Sequence, residues 1–157
     1  MIQTGSLLSV QEGIIVHGCN AQGVMGSGIA KLIRDKYPVA FERYRTKYDK
    51  DGLALGSVVW AKVQDSPLLA VANGITQEYY GRTPGKVYVD YDAIRKVFSQ
   101  VAKVAHERNL TVHYPMIGAG LGGGDWDRIK DIIAAELNAK NVSHHLWIPP
   151  SSFRPSL

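Results

Sequence analysis

Two glycine-rich stretches constrain the fold of this chain more than any other feature. The first covers residues 19–28 and the second residues 118–125, and each lies between an apolar run and a segment with helical periodicity. A glycine-rich turn between a strand and a helix is typical of α/β proteins, which bind ligands at the carboxyl ends of their strands. The two stretches therefore predict an α/β fold with a ligand site where the loops meet.

The apolar pattern outside these loops predicts alternating strands and helices. Short β-branched or apolar runs predict strands at residues 13–17, 57–63, 68–73, 110–116 and 144–148. Helical spacing of apolar residues predicts helices at residues 29–36, 41–50, 90–108 and 126–140. Asp125 precedes the last of these helices and is its expected N-cap. Such alternation indicates an α/β sandwich with a mainly parallel sheet.

Length and cysteine content limit the class of protein. The chain has 157 residues, so we predict one domain over residues 1–157, with an irregular tail at residues 149–157. Cys19 is its one cysteine, which excludes an internal disulfide and a cysteine metal cluster. No window is apolar enough to cross a bilayer, and the N-terminus lacks the pattern of a signal peptide. We therefore expect a cytoplasmic protein without membrane contact.

The charge of the chain suits an anionic partner. Lysines and arginines exceed acidic residues by 18 to 14, and the formal net charge is +4. This excess does not distinguish a nucleotide from a nucleic acid. A nucleic-acid binder would cluster its cations with stacking aromatics on one face, whereas residues 31–50 mix both signs, as a solvated helix face does.

The chemistry of the two loops points to phosphate binding. Glycines allow main-chain N–H groups to approach a ligand, and a helix N-terminus adds a partial positive charge. The spacing Gly118-x-Gly120-x-x-Gly123 matches the dinucleotide fingerprint, but no acidic residue follows Glu136 to hold a ribose. Neither loop continues into the Gly-Lys-Ser/Thr of a P-loop. A two-sided cradle for a diphosphate is the favoured interpretation, and plain connecting turns are the alternative.

Three segments of the chain together resemble the macro domain. They are residues 15–20, residues 26–30 and residues 115–126, in matching order and spacing. The resemblance implies a three-layer α/β/α sandwich with a mixed, mainly parallel sheet that binds ADP-ribose. Common macro domains have Asn where this chain has His17. In this position the chain resembles the yeast-type ADP-ribose-1''-phosphate phosphatases and the hydrolases that remove ADP-ribose from glutamate. Phage-encoded members of this branch look similar.

The resemblance implies a catalytic set of His17, Asn20 and Asp125. Asn20 would contact the distal ribose, and His17 with Asp125 would form an acid–base pair near neutral pH. A hydrogen-bonded core histidine is the alternative for His17. A simple helix cap is the alternative for Asp125, although capping and catalysis do not exclude each other. Cys19 is expected to be a small buried residue rather than a nucleophile.

The resemblance also implies a set of ligand-binding residues in both loops. Ser6 stands where the family commonly has an Asp that holds the adenine amino group, so the adenine contact is expected to be weaker. The two walls of the cleft are expected to be Cys19, Gly26, Ser27, Gly28 and Ile29 on one side and Ile117, Gly118, Ala119, Gly120, Leu121, Gly122 and Gly123 on the other.

The substrate prediction depends on Arg34. The glutamate hydrolases use a lysine for a covalent intermediate, and the resemblance places Arg34 there, which cannot form a Schiff base. Lys31 lies one turn earlier and is a poor substitute. This favours hydrolysis of ADP-ribose-1''-phosphate, with an eraser of ADP-ribose from protein or nucleic acid and a non-catalytic reader as alternatives.

Further residues are weaker candidates. In the loop at residues 77–82, Arg82 would meet a terminal phosphate, or the loop is plain surface. Phe153 would stack on adenine, or the tail is irregular. His144 and His145 alternate along a strand, so they point to opposite faces and do not suit one metal site. We expect no metal, no cofactor and a monomer.

Overall fold

The structure is a computed structural model that describes residues 1–150. Its elements follow the predicted alternation, with two additions at the N-terminus, a strand β1 and a single 3₁₀ turn at Leu7–Ser9. The strands are β1 (Ile2–Thr4), β2 (Gly13–Asn20), β3 (Val58–Asp65), β4 (Leu68–Gln77), β5 (Val112–Tyr114) and β6 (His144–Ile148). The helices are α1 (Gly28–Lys36), α2 (Pro38–Asp51), α3 (Tyr91–Arg108) and α4 (Trp126–Ala139).

The six strands form one mixed sheet in the order β1-β6-β5-β2-β4-β3. Along the spatial order β1-β6-β5-β2-β4, each strand is parallel to its neighbour. The edge strand β3 pairs antiparallel with β4. This confirms the predicted fold class. The parallel strands all end at the same edge of the sheet, and their carboxyl ends position the site described below.

Helices cover both faces of the sheet. Along β2, Ile14 and Val16 pack with α3 and α4, while Ile15 packs with α1 and α2. All three side chains are fully buried. A strand that is buried on both faces reads as a continuous apolar run, which explains why the sequence signal of β2 is strong. No helix in the described residues 1–150 is long and apolar enough to cross a membrane.

Several element boundaries differ from the prediction. β2 continues three residues past His17, because Gly18, Cys19 and Asn20 pair with β4. β4 extends to Gln77, and β5 is limited to three residues. Gly18 is required by close packing: a Cβ there would lie 2.6 Å from Thr76 Oγ1 and 2.9 Å from Ile117 Cγ2. The last three residues of β2 thus form the floor of the site rather than a loop.

Candidate functional site

A cavity of about 1020 Å³ lies across the carboxyl ends of the five parallel strands. It meets residues at or just after the end of every one of these strands, in the spatial order of the sheet. These are Ser6 after β1, Pro149 after β6, Met116 after β5, Asn20 at the end of β2 and Gln77 at the end of β4. The volume suits a drug-sized or nucleotide-sized ligand.

The first wall of the cavity is the loop between β2 and α1, and Asn20 holds it in shape. Asn20 Oδ1 accepts from the amide of Gln22 at 2.9 Å, and its Nδ2 donates to the carbonyl of Val24 at 2.8 Å. The hydroxyl of Tyr44, from α2, donates to the backbone oxygen of Asn20 at 2.6 Å. Asn20 therefore folds the loop, and its second Nδ2 hydrogen has no acceptor within residues 1–150, which leaves it able to bind a ligand.

The second wall is the loop between β5 and α4, whose carbonyls accept hydrogen bonds from protein amides. The carbonyl of Gly118 accepts from the amide of Gly124 at 2.8 Å, and that of Gly120 accepts from Gly123 at 3.1 Å. The carbonyl of Gly122 accepts from the amide of Tyr88 at 2.8 Å. Four residues of this loop line the cavity and have main-chain amides without an acceptor within residues 1–150: Gly118, Gly120, Leu121 and Gly122.

The N-terminus of α1 also opens into the cavity. Its N-cap is Ser27, whose side chain makes no capping hydrogen bond, and the first helical residues Gly28 and Ile29 line the cavity. In contrast, Asp90 caps α3 and Asp125 caps α4 through their carboxylates. Uncapped first-turn N–H groups with the helix dipole behind them form an anion site.

The cavity is poor in charged side chains. Within residues 1–150, Arg82 is the only lining residue with a charged side chain. None of these lining residues is an aspartate, a glutamate or a histidine. Main-chain N–H groups and one cation therefore set its potential, which favours an anion.

The two ends of the cavity differ. The end at β1 and β6 is lined by Ser6, Trp147 and Pro149, which present one hydroxyl beside flat apolar surface. The end at β4 is lined by Gln77, Tyr80 and Arg82, which are polar or basic. An elongated ligand with an aromatic group at one end and an anionic group at the other matches this asymmetry.

His17 does not reach the cavity. Its side chain is fully buried within the fold, and its Nε2 hydrogen-bonds Asn73 Oδ1 at 2.6 Å. Asn73 Nδ2 donates in turn to the carbonyl of Ala40 at 3.0 Å, so the pair links the sheet to α2. Burial lowers the pKa of His17 to about 4. The expected acid–base role would need a ring open to a substrate, whereas this ring has the placement of the alternative, a hydrogen-bonded core histidine.

Three other expected site residues also lie outside the cavity lining: Asp125, Ala119 and Gly123. Asp125 is exposed, and its Oδ1 accepts from the amide of Asp127 at 3.0 Å, which is the geometry of an N-cap. The carboxylate of Asp125 thus caps α4 through Oδ1. Capping and catalysis do not exclude each other, so the catalytic role of Asp125 stays a prediction. Gly123 has a φ of +70° and turns the chain into α4.

The remaining expected residues are brought together in one cavity. Cys19 lines it but is buried, and burial raises the pKa of its thiol, so it stays protonated. The others that line it are Ser6, Asn20, Gly26, Ser27, Gly28, Ile29, Ile117, Gly118, Gly120, Leu121 and Gly122.

The structure adds residues that sequence reasoning missed, of which Trp147 and Thr76 are the most informative. Thr76 lies at a bulge, where β2 pairs Cys19 with Ile75 but Asn20 with Gln77. Its Oγ1 is buried without a hydrogen-bond partner within residues 1–150. A bulge in a parallel pair has no recognised sequence signature, whereas the position of Trp147 near the end of a predicted strand was a usable signal.

The weaker candidates have separate outcomes. No group of three or more potential metal ligands occurs among the described residues, and His144 bonds Tyr114 while His145 stacks on His113. Arg34 pairs with neighbouring Asp35 and does not line the cavity. The tail residue Phe153 lies outside the described residues.

Comparison with known proteins identifies relatives over most of the chain. The family model described as Macro domain matches residues 16–133. A Mycobacterium tuberculosis protein named DNA ADP-ribosyl glycohydrolase is 29% identical over 153 residues, and the alignment covers 94% of this chain but 41% of that protein. An ADP-ribose 1''-phosphate phosphatase of Debaryomyces hansenii is 26% identical over 144 residues, covering 76% and 80%.

A phage relative and solved structures complete the comparison. An uncharacterized 17.5 kDa protein of Enterobacteria phage T4 is 31% identical over 124 residues and covers 76% of both chains. The structure of a protein of unknown function from Bacteroides thetaiotaomicron superposes with a TM-score of 0.85 at 30% identity, covering 96% and 97%. The macrodomain of Mycobacterium tuberculosis DarG shares the fold, with a TM-score of 0.79 at 24% identity and coverage of 96% and 99%. The family predicted from the loop motifs is confirmed: the chain belongs to the Macro domain family.

Proposed function

We propose that the cavity binds ADP-ribose, with the diphosphate between the two glycine-rich loops. The observation that carries this proposal is the set of cavity-lining amides without an acceptor, contributed by the second loop and by the uncapped start of α1. Hydrogen bonds from N–H groups to an ionised acceptor are about twice as strong as neutral ones. A diphosphate supplies several such acceptors on both sides.

The asymmetry of the cavity supports one orientation of the nucleotide. The apolar end with Trp147 suits adenine, and Ser6 is the hydroxyl available there. The distal ribose then lies at the ends of β2 and β4, beside Asn20, with Arg82 beyond it. This orientation places the one charged lining side chain of residues 1–150 next to the 1'' position.

We further propose that the chain hydrolyses ADP-ribose-1''-phosphate. A water oxygen bonds to phosphorus, the bond from phosphorus to the 1'' oxygen breaks, and the leaving oxygen takes up the proton that the water gives up, so that ADP-ribose and inorganic phosphate form. Such transfers depend mainly on positioning and charge stabilisation. Arg82 and the nearby amides would offset the charge on the phosphoryl oxygens. The Debaryomyces relative named as a phosphatase supports this choice.

Two alternatives differ in what they need from the cavity. A non-catalytic reader is favoured by the lack of a carboxylate or histidine among the described lining residues. Removal of ADP-ribose from a nucleic acid or protein is suggested by the mycobacterial relative, of which this chain spans 41%. A covalent route through a lysine has no support within residues 1–150, because no lysine lines the cavity.

One assay separates these functions. The pure protein is incubated with ADP-ribose-1''-phosphate and, separately, with ADP-ribosylated protein and DNA, and release of phosphate or ADP-ribose is followed. We expect phosphate release, which Arg82→Gln lowers at least about tenfold in catalytic efficiency while Arg43→Gln, an exposed change on α2, does not. Binding of ADP-ribose without turnover of any substrate would establish a reader instead.

A further inference from the structure

Trp147 forms a fixed part of the cavity wall at the end of β6. The residue is half-buried and lines the cavity beside Ser6 and Pro149. On one edge its indole ring is close to Gly5, where a Cβ would lie 3.4 Å from Cζ3 of Trp147. Gly5 has a φ of +145°, and its amide donates to the carbonyl of Ile148 at 2.9 Å. One edge of the indole is thus held by the turn after β1.

A second contact holds the indole from the neighbouring strand. Trp147 Nε1 donates to His113 Nδ1 at 2.9 Å, with the ring centroids 6.0 Å apart and the planes inclined at 49°. His113 is buried on β5, where it pairs with His145 of β6 and Ile15 of β2. An indole N–H can only donate, so Nδ1 of His113 must be the acceptor and its proton must be on Nε2.

The surroundings of His113 keep it in this state. Its ring stacks on that of His145 at 5.5 Å, and burial together with His145 lowers the pKa of His113 to about 4. At neutral pH the ring is therefore uncharged and able to accept the indole proton. An indole that could change rotamer would lose conformational entropy when a ligand binds. Because this hydrogen bond already fixes the rotamer in the free protein, that entropy is not lost on binding.

We propose that His113 is a positioning residue that fixes the Trp147 indole as the wall against which the base of the bound nucleotide packs. The inference rests on the proposed binding of ADP-ribose and adds a residue that does not line the cavity. Its effect is therefore specific: it strengthens binding of the base and leaves the phosphate contacts unchanged.

The test compares two ligands on matched variants. Calorimetry with ADP-ribose and with inorganic pyrophosphate is run on the wild type, His113→Leu and Trp147→Ala. His113→Leu removes the acceptor, and we expect it to weaken ADP-ribose about 5- to 20-fold, as for loss of part of a base–aromatic contact, with pyrophosphate affinity unchanged. In the double variant His113→Leu adds little to Trp147→Ala, because the indole it positions is absent.

A second change addresses the same bond from the other side. Trp147→Phe keeps an aromatic ring but has no donor, so it should weaken ADP-ribose by a similar factor even if His113→Leu does not fold. Equal loss for both ligands, additive losses in the double variant, or wild-type affinity in Trp147→Phe would each overturn the role of His113. A wild type that binds neither ADP-ribose nor pyrophosphate would instead refute the proposed function.

Discussion

Replacing Gly120 by alanine separates ligand binding from folding in the second loop. A Cβ at Gly120 would meet no other atom within 4 Å, and its φ lies outside the left-handed region. The folded state tolerates the methyl group, while the unfolded chain loses freedom, so we expect the free energy of unfolding to stay the same or rise by about 0.4–1 kcal/mol.

Gly122 is the matched variant in which folding should suffer. A Cβ there would lie 2.7 Å from the carbonyl oxygen and 2.9 Å from the Cα of Gly118, both backbone atoms that cannot rotate away. The loop has to shift, and the carbonyl of Gly122 would move from the amides of Tyr88 and Val89. We expect Gly122→Ala to lower the free energy of unfolding by about 1–3 kcal/mol, the range for overpacking.

Both variants should bind ADP-ribose more weakly. Gly120 lines the cavity, so its new methyl group keeps a phosphate oxygen from the amides. Loss of one charge-assisted hydrogen bond is worth about 1.5–3 kcal/mol, or about 10- to 100-fold in affinity. Urea unfolding and calorimetry with ADP-ribose measure the two quantities. Unchanged affinity in Gly120→Ala would show that this loop does not bind the phosphate, and equal loss of stability in both variants would show that the two glycines do not differ in packing.

Three further substitutions test Asp125, His17 and the first loop. Asp125→Asn should keep both stability and activity, because Asn caps a helix as well as Asp does. Asp125→Ala should lower the free energy of unfolding in urea by about 1 kcal/mol. A loss of about two orders of magnitude in turnover rate for Asp125→Asn would instead show that Asp125 is catalytic. His17 has its pKa lowered to about 4 from 6.5, so the unfolded state binds the proton more tightly, and stability is full above pH 6.5 and falls as the pH drops toward 4. His17→Gln should reduce that slope by about 1.4 kcal/mol per pH unit, and an unaltered slope in unfolding curves at several pH values would contradict the assignment. Tyr44→Phe removes the hydroxyl that holds Asn20, so calorimetry should show weaker ADP-ribose binding with a loss of about 1 kcal/mol in stability; wild-type affinity would show that the first loop holds its shape without it.

The fold could be predicted from the sequence wherever burial leaves a periodic signal. The two-sided burial of Ile14, Ile15 and Val16 made β2 visible, and helical spacing located α3 and α4. β1 is three residues long with exposed ends, so it carries no such period. The extension of β2 to Asn20 depends on pairing with β4, which is a long-range property that local patterns do not contain.

The site could be predicted in part for a related reason. Glycine density located both loops, and the structure brings Asn20 and Gly120 to one cavity. The burial of the His17 side chain could not be predicted from the residues next to it in sequence, because His17 hydrogen-bonds Asn73 on another strand. Arg82 follows β4 and was a candidate from the sequence, whereas Trp147 lies in β6 and joins the same cavity only through the strand order.

In the proposed complex, main-chain amides of two loops close around a diphosphate, and a titration of ¹⁵N-labelled protein with ADP-ribose can follow those amides one by one. We predict that the amide signals of residues 26–29 and 117–122 shift together and saturate with one dissociation constant. Signals from the small pocket near Gly56 and Gln100, on the surface of α3, should stay in place. Absence of shifts at millimolar ADP-ribose, or shifts confined to one loop, would show that the two loops do not enclose the diphosphate.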